Sequence, residues 1–184
     1  MKDFVLATVG AIALLATVPV LNQTKFGLET AIAQNTQTKG QVQLRLEVEK
    51  RVVQQVQGKQ TSTWQPLQGK ALVEPGNILR YTVTADNNSN GNVKNLIINQ
   101  PIPLGTVYVL NSATSNVNNE AKITYSIDGG RSYVESPSVK VALANGKVET
   151  KPAPVTMYTH IRWKFGSSIP AKGSVKGIYQ VKVR

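Results

Sequence analysis

Residues 42–56 read VQLRLEVEKRVVQQV, and the alternation within them decides the fold. Val42, Leu44, Leu46, Val48, Val52 and Val56 stand at even positions, with Lys50 and Gln54. Gln43, Arg45, Glu47, Glu49, Arg51 and Gln55 stand at odd positions, where Val53 alone is apolar. Successive side chains of an extended chain point to opposite faces, so this pattern sets one row against a core and the other in water. The apolar residues also fit a broad helical arc. Valine richness and strict alternation favour a strand, or two strands joined by a bulge near Lys50.

The same period recurs along the chain. Leu79, Tyr81, Val83 and Ala85 share one face, 93–98 is a short apolar run, and 106–110 is β-branched and aromatic. Ala121, Ile123, Tyr125 and Ile127 alternate with Lys122, Thr124 and Ser126; Val139, Val141 and Leu143 with Lys140 and Ala142; Ile161, Trp163 and Phe165 with Arg162 and Lys164; and Gly177, Tyr179, Val181 and Val183 with Ile178, Gln180 and Lys182. Turn chemistry separates these runs. Glu74-Pro75-Gly76-Asn77 suits a type II turn, with proline presetting φ and glycine taking φ > 0. Asn145-Gly146 predicts a two-residue hairpin between Leu143 and Val148. About eight short strands and no helix beyond the N-terminal segment predict an all-β fold, an antiparallel immunoglobulin-like β-sandwich of about 7–9 strands. Trp163, Tyr81 and Phe165 are expected in its core, and residues 58–69 are expected to form a polar loop carrying Trp64.

Composition narrows the class. The 184 residues carry a formal charge of +11, one histidine and no cysteine. Disulfide scaffolds and thiolate metal sites are therefore excluded. With 41% hydrophobic residues and a mean hydropathy of −0.17, the chain has enough apolar surface to build a core.

The first residues read as an address. An apolar stretch from Phe4 to Leu21 is followed by a polar segment and by Ala31-Ile32-Ala33, an A-x-A triplet of the kind signal peptidase cuts. The expectation is a signal-peptide helix at 1–33, removed after Ala33, and a single domain at 34–184. The alternative is a retained N-terminal anchor, since about 18 apolar residues barely span a membrane; Pro19 favours cleavage. With no cysteine for a lipobox and no second apolar segment, the expected product has no transmembrane anchor after cleavage. It is placed in the periplasm, at the cell surface or outside the cell. Lys2 and Lys25 offset Asp3 and Glu29, so the whole charge of +11 belongs to the domain.

A family resemblance rests on turn and strand signals. Val73-Glu74-Pro75-Gly76-Asn77-Ile78-Leu79-Arg80-Tyr81-Thr82 precedes an asparagine-rich loop; Ile102-Pro103-Leu104-Gly105-Thr106 follows, and Ile169-Pro170-Ala171-Lys172-Gly173 leads into a last strand. Over roughly residues 70–112 and 161–184 this resembles the "domain of unknown function 11" repeat of bacterial surface proteins. The late turn reads Pro-Ala-Lys-Gly where the repeat has Pro-Gly, and the repeat, usually in tandem arrays, stands here alone. The resemblance implies an immunoglobulin-like sandwich of the cell envelope with no assigned catalytic residues.

Candidate chemistry is sparse. Ser126-Ile127-Asp128-Gly129-Gly130-Arg131-Ser132-Tyr133 resembles the Asp-box, S-x-D-x-G-x-S/T-W/Y, a hairpin turn in which Asp and Ser side chains bond the loop backbone. His160 is the only imidazole, and no G-x-S-x-G nucleophile elbow accompanies it. Glu47 and Glu49 alternate with Arg45 and Arg51, which reads as a charge-balanced solvated face and not as a glycosidase pair. Residues 86–92 have too few carboxylates for calcium and read as a flexible surface loop. No catalytic, cofactor or metal site is expected, and a hydrolase is the most distant alternative. Strand alternation places Arg162 and Lys164 on one face, and Lys176 and Lys182 on one face of the last strand. Were these strands paired through residues 167–173, the four cations would form an anion-binding stripe. The first expectation is therefore an envelope protein with a structural or interaction role. The second is a binder of anionic glycan or another polyanion. Nucleic acid is disfavoured because the aromatic residues fall on the core phase.

Overall fold

The structure, a computed structural model, describes residues 42–69, 72–117 and 121–184; the expected signal peptide at 1–33 lies outside the described residues. It is an all-β sandwich. The described strands are β1 (Val42–Val56), β2 (Lys59–Pro66), β3 (Ile78–Asn87), β4 (Ile97–Pro101), β5 (Thr106–Tyr108), β6 (Thr114–Ser115), β7 (Ala121–Ser126), β8 (Ser138–Ala142), β9 (Val148–Pro152), β10 (His160–Phe165) and β11 (Ser174–Val183). A larger sheet runs β2-β1-β3-β11-β5, with β6 also on β11; a smaller one runs β4-β10-β7; β8 and β9 form a separate ribbon. Every strand pairing is antiparallel.

The two main sheets meet through their apolar rows. Leu79, Tyr81, Val83, Tyr179 and Val181 face Ile98, Ile161, Trp163 and Phe165, all buried. Trp163 is the keystone. Its ring lies against the backbone of Gly177, where a Cβ would stand 2.8 Å from two indole carbons, and its centroid is 6.0 Å from that of Tyr179. Tyr81 and Tyr179, opposite each other on β3 and β11, stack at 5.1 Å. The smaller sheet is too narrow to cover β1, so Val42, Leu44, Leu46 and Val48 pack at the margin of the core and stay half-buried.

The structure corrects several expectations. Residues 58–69 are not a loop: most of them form β2, paired to β1 from Glu49↔Pro66 to Val56↔Lys59. Gln57 and Gly58, with φ of 50° and 77°, make the two-residue turn whose positive dihedrals match strand twist. Asn145-Gly146 does turn a hairpin, but a wider one. The Leu143 N–H donates to Lys147 O at 2.8 Å and the Gly146 N–H to Leu143 O at 2.9 Å, leaving a three-residue loop with Gly146 at φ 78°. The turn at residues 74–77 closes as expected, with Asn77 N donating to Glu74 O at 3.1 Å and Gly76 at φ 91°. On the charged row of β1, Glu49 pairs with Arg80 across the strands at 2.7 Å.

The largest correction concerns β10 and β11, which do not form a hairpin. Between them the chain changes sheets. Ile169 is buried and exchanges two backbone hydrogen bonds with Val93, at 2.8 and 2.9 Å. Asn87, buried at the end of β3, holds this crossing: its Nδ2 donates to Ile169 O at 3.2 Å, Pro170 O at 2.9 Å and Gly91 O at 2.8 Å. The stretch 86–92 is thus anchored at its first turn. Arg162 and Lys164 face outward from the smaller sheet, Lys176 and Lys182 outward from the larger one, so the four cations form no common stripe.

Candidate functional site

The outer face of the smaller sheet gathers several chemistry-bearing side chains through its topology. Its register sets Asn99, Arg162 and Thr124 in one row, Ile97, Lys164 and Lys122 in the next, and Pro101, His160 and Ser126 on the other side. Val134 adds to the β7 edge by a two-bond bridge with Tyr125, at 2.8 and 3.0 Å. Alternation then turns Tyr133 and Glu135 onto the same outer face.

Arg162 is held on two sides. Its Nε donates to Asn99 Oδ1 at 2.7 Å, and its Cζ lies 3.6 Å from the centroid of the Tyr133 ring, a cation–π contact of about 0.5–1 kcal/mol at a partly exposed site. No carboxylate of the described residues pairs with it. Lys164 stands directly opposite Lys122, an arrangement of like charges that destabilises a sheet. Lys122 answers it with an ion pair to Glu135, which leaves the Arg162 and Lys164 charges uncompensated within the described residues.

The Asp-box turn is what delivers Tyr133. Asp128 Oδ1 accepts from Ser126 Oγ at 2.7 Å, Arg131 N at 3.1 Å and Ser132 N at 3.0 Å; Oδ2 accepts from Ser132 Oγ. Ser126 Oγ in turn accepts from Gly130 N at 2.8 Å. Gly129 and Gly130 take φ of 76° and 85°, and a Cβ on Gly130 would meet Tyr133 Oη at 3.2 Å and His160 Cε1 at 3.3 Å. The turn therefore needs glycine for both dihedral and space.

The Ser132 hydroxyl and N–H, then the Ser126 hydroxyl, hold the Asp128 carboxyl well below the usual aspartate range. A carboxylate whose folded pKa is depressed adds stability above its unfolded value, near 4, and loses it as pH falls below that. Denaturant midpoints should accordingly drop between pH 4 and pH 2. Asp128→Asn should be less stable than wild type at pH 7 and show a smaller acid drop. Parallel pH profiles for the two proteins would refute this role.

Asp128, Ser126 and His160 are neighbours, yet their bonds serve the turn. Asp128 and Ser126 are engaged by the backbone as described. His160 Nδ1 lies 3.2 Å from Thr159 Oγ1, whose hydroxyl accepts from Gly129 N at 3.1 Å and donates to Ser126 O at 3.2 Å. Burial lowers the His160 pKa, opposed by the nearby Asp128 charge. His160 also borders an open cleft of about 480 Å³ at the end of the sandwich, with Leu104, Tyr158 and Arg184 on its walls. Among the described residues no cluster of three His, Cys, Asp or Glu is placed to hold a metal, and no helix is long and apolar enough to cross a membrane.

Of the four cations picked out from sequence, Arg162 and Lys164 share this face. Lys176 and Lys182 are six residues apart on the opposite sheet, about 20 Å along the strand. Sequence reasoning missed Tyr133, Asn99, Thr124 and Lys122 as their neighbours, because cross-strand register carries no local signal. Comparison with protein-family models, with curated proteins and with solved structures finds no match for this chain.

Proposed function

We propose that this chain is an exported, non-enzymatic β-sandwich protein of the cell envelope or extracellular space, with an interaction role, and that it binds an anionic partner through the outer face of β4, β10 and β7. One observation carries the anionic reading: Arg162 is braced by Asn99 and Tyr133, beside Lys164, with no carboxylate of the described residues on either. Two adjacent uncompensated cations on a rigid strand offer a fixed receptor for negative charge. The N-terminal address and the resemblance to a bacterial surface repeat support the location. N-terminal sequencing of exported material should begin at Gln34. A protein partner is the second reading, favoured by β2. That strand ends the larger sheet, and among the described residues no strand pairs with its outer edge, which suits strand addition.

The test compares two double variants of equal charge change on a heparin column. Arg162→Glu with Lys164→Glu should elute at clearly lower salt than wild type, while Lys176→Glu with Lys182→Glu should move much less. Equal shifts would show that net charge alone governs retention and would remove the site. Wild type passing unretained at low salt would remove the anionic reading.

A further inference from the structure

Resting on that reading, we propose that the anion received by Arg162 is a sugar carboxylate, a uronate unit of an acidic polysaccharide. The Nε edge of the guanidinium is taken by Asn99 and one face by Tyr133. Among the described residues, what remains for a ligand is the terminal pair of amino groups, a planar fork matching the two oxygens of a carboxylate, with the Tyr133 hydroxyl beside it. Because the side chain is braced on two sides, little of its rotamer entropy is left to lose on binding.

The surroundings select among anions. Arg162 is flanked in its row by Asn99 and Thr124, neutral groups suited to sugar hydroxyls; Asn99 accepts from Arg162 with Oδ1 and keeps Nδ2 to donate. Lys164 lies two residues along β10, about 7 Å away, with room for a second negative unit. The face is not uniformly positive, because Glu135 neutralises Lys122 beside Thr124. A chain bearing dense sulfate or phosphate finds no free cation at that pair to match its closely spaced charges. A polymer with one carboxylate per sugar meets alternating cations and neutral hydrogen-bonding groups. Single-stranded nucleic acid needs open aromatic faces for its bases, and on this face the Tyr133 ring is already covered by the guanidinium.

The experiment measures binding to polygalacturonate, to the same polymer with its carboxyls reduced to alcohols, and to dextran sulfate. Wild type should bind polygalacturonate and lose it when the carboxyls are reduced. Arg162→Lys keeps the charge and loses the fork. It should weaken polygalacturonate binding by about tenfold, the worth of one charge-assisted hydrogen bond, with dextran sulfate changed far less. Asn99→Asp, which supplies an internal carboxylate to the same guanidinium, should weaken polygalacturonate binding at least as much. Thermal unfolding of each variant checks that the sheet is intact. Undiminished polygalacturonate binding by both variants, or binding of dextran sulfate without polygalacturonate by wild type, would overturn the carboxylate assignment and leave the anionic reading standing; equal binding of the uncharged reduced polymer by wild type would overturn both. Failure of wild type to bind either polyanion would overturn both.

Discussion

Trp163→Ala should lower the free energy of unfolding by about 3–5 kcal/mol, the usual cost of emptying a large aromatic site in a packed core. Trp163 is fully buried, its Nε1 donates to Thr114 O at 2.9 Å, and its ring fills the space left by the absent side chain of Gly177. Truncation leaves a cavity between the sheets and removes a hydrogen bond together. Gly177→Ala attacks the same contact from the other side. Its Cβ would lie 2.8 Å from two atoms of a rigid indole, so the sheets must part, at about 1–3 kcal/mol. The two sites should be non-additive: in a Trp163→Phe background Gly177→Ala should cost less than in wild type. Urea midpoints at unchanged m-value measure each step, and strictly additive losses would deny that the two residues share one contact.

Asn87→Leu, close to isosteric, should cost about 3 kcal/mol or more, since each buried polar group left without a partner costs about 1–3 kcal/mol. Its amide donates to the carbonyls of Gly91, Ile169 and Pro170, and its Oδ1 accepts from Ser89 N at 3.1 Å and Ser89 Oγ at 2.7 Å. One side chain thus ties the loop after β3 to the crossing between the sheets. Hydrogen exchange should show residues 88–92 and 169–173 losing protection in the same variant. Loosening of the first loop with the second unchanged would show that the crossing is held by the Val93–Ile169 bridge alone.

How far the fold is legible in sequence depends on the range of the interaction. The inward rows of β3, β10 and β11 follow from side-chain period alone, and Leu79, Tyr81, Trp163, Phe165 and Tyr179 are buried as the alternation implies. Turns that depend on proline and glycine at adjacent positions are legible too, as residues 74–77 demonstrate. β2 is hidden because Lys59–Pro66 has no apolar row; it is a strand because β1 offers it a partner and Gln57-Gly58 a turn. Sheet membership is hidden for a deeper reason. β10 and β11 have the period and spacing of a hairpin, and what separates them is a buried bridge between Val93 and Ile169, residues 76 positions apart. The candidate site suffered accordingly: Arg162 and Lys164 could be placed on one face from their spacing, whereas Tyr133, Asn99 and Lys122 join them only through cross-strand pairing.

The register of the larger sheet has a mechanical consequence. β1 and β11 both lie antiparallel to β3, so they run in the same direction on either side of it. Val42 stands opposite Asn87 at one end of β3, and Lys182 opposite Ile78 at the other. The chain enters this sheet and leaves it at opposite ends, about 30 Å apart by strand rise. Tension applied between those points pulls along the strands. It loads the hydrogen bonds on both sides of β3 in shear, all at once, where a pull across the strands would unzip them one by one.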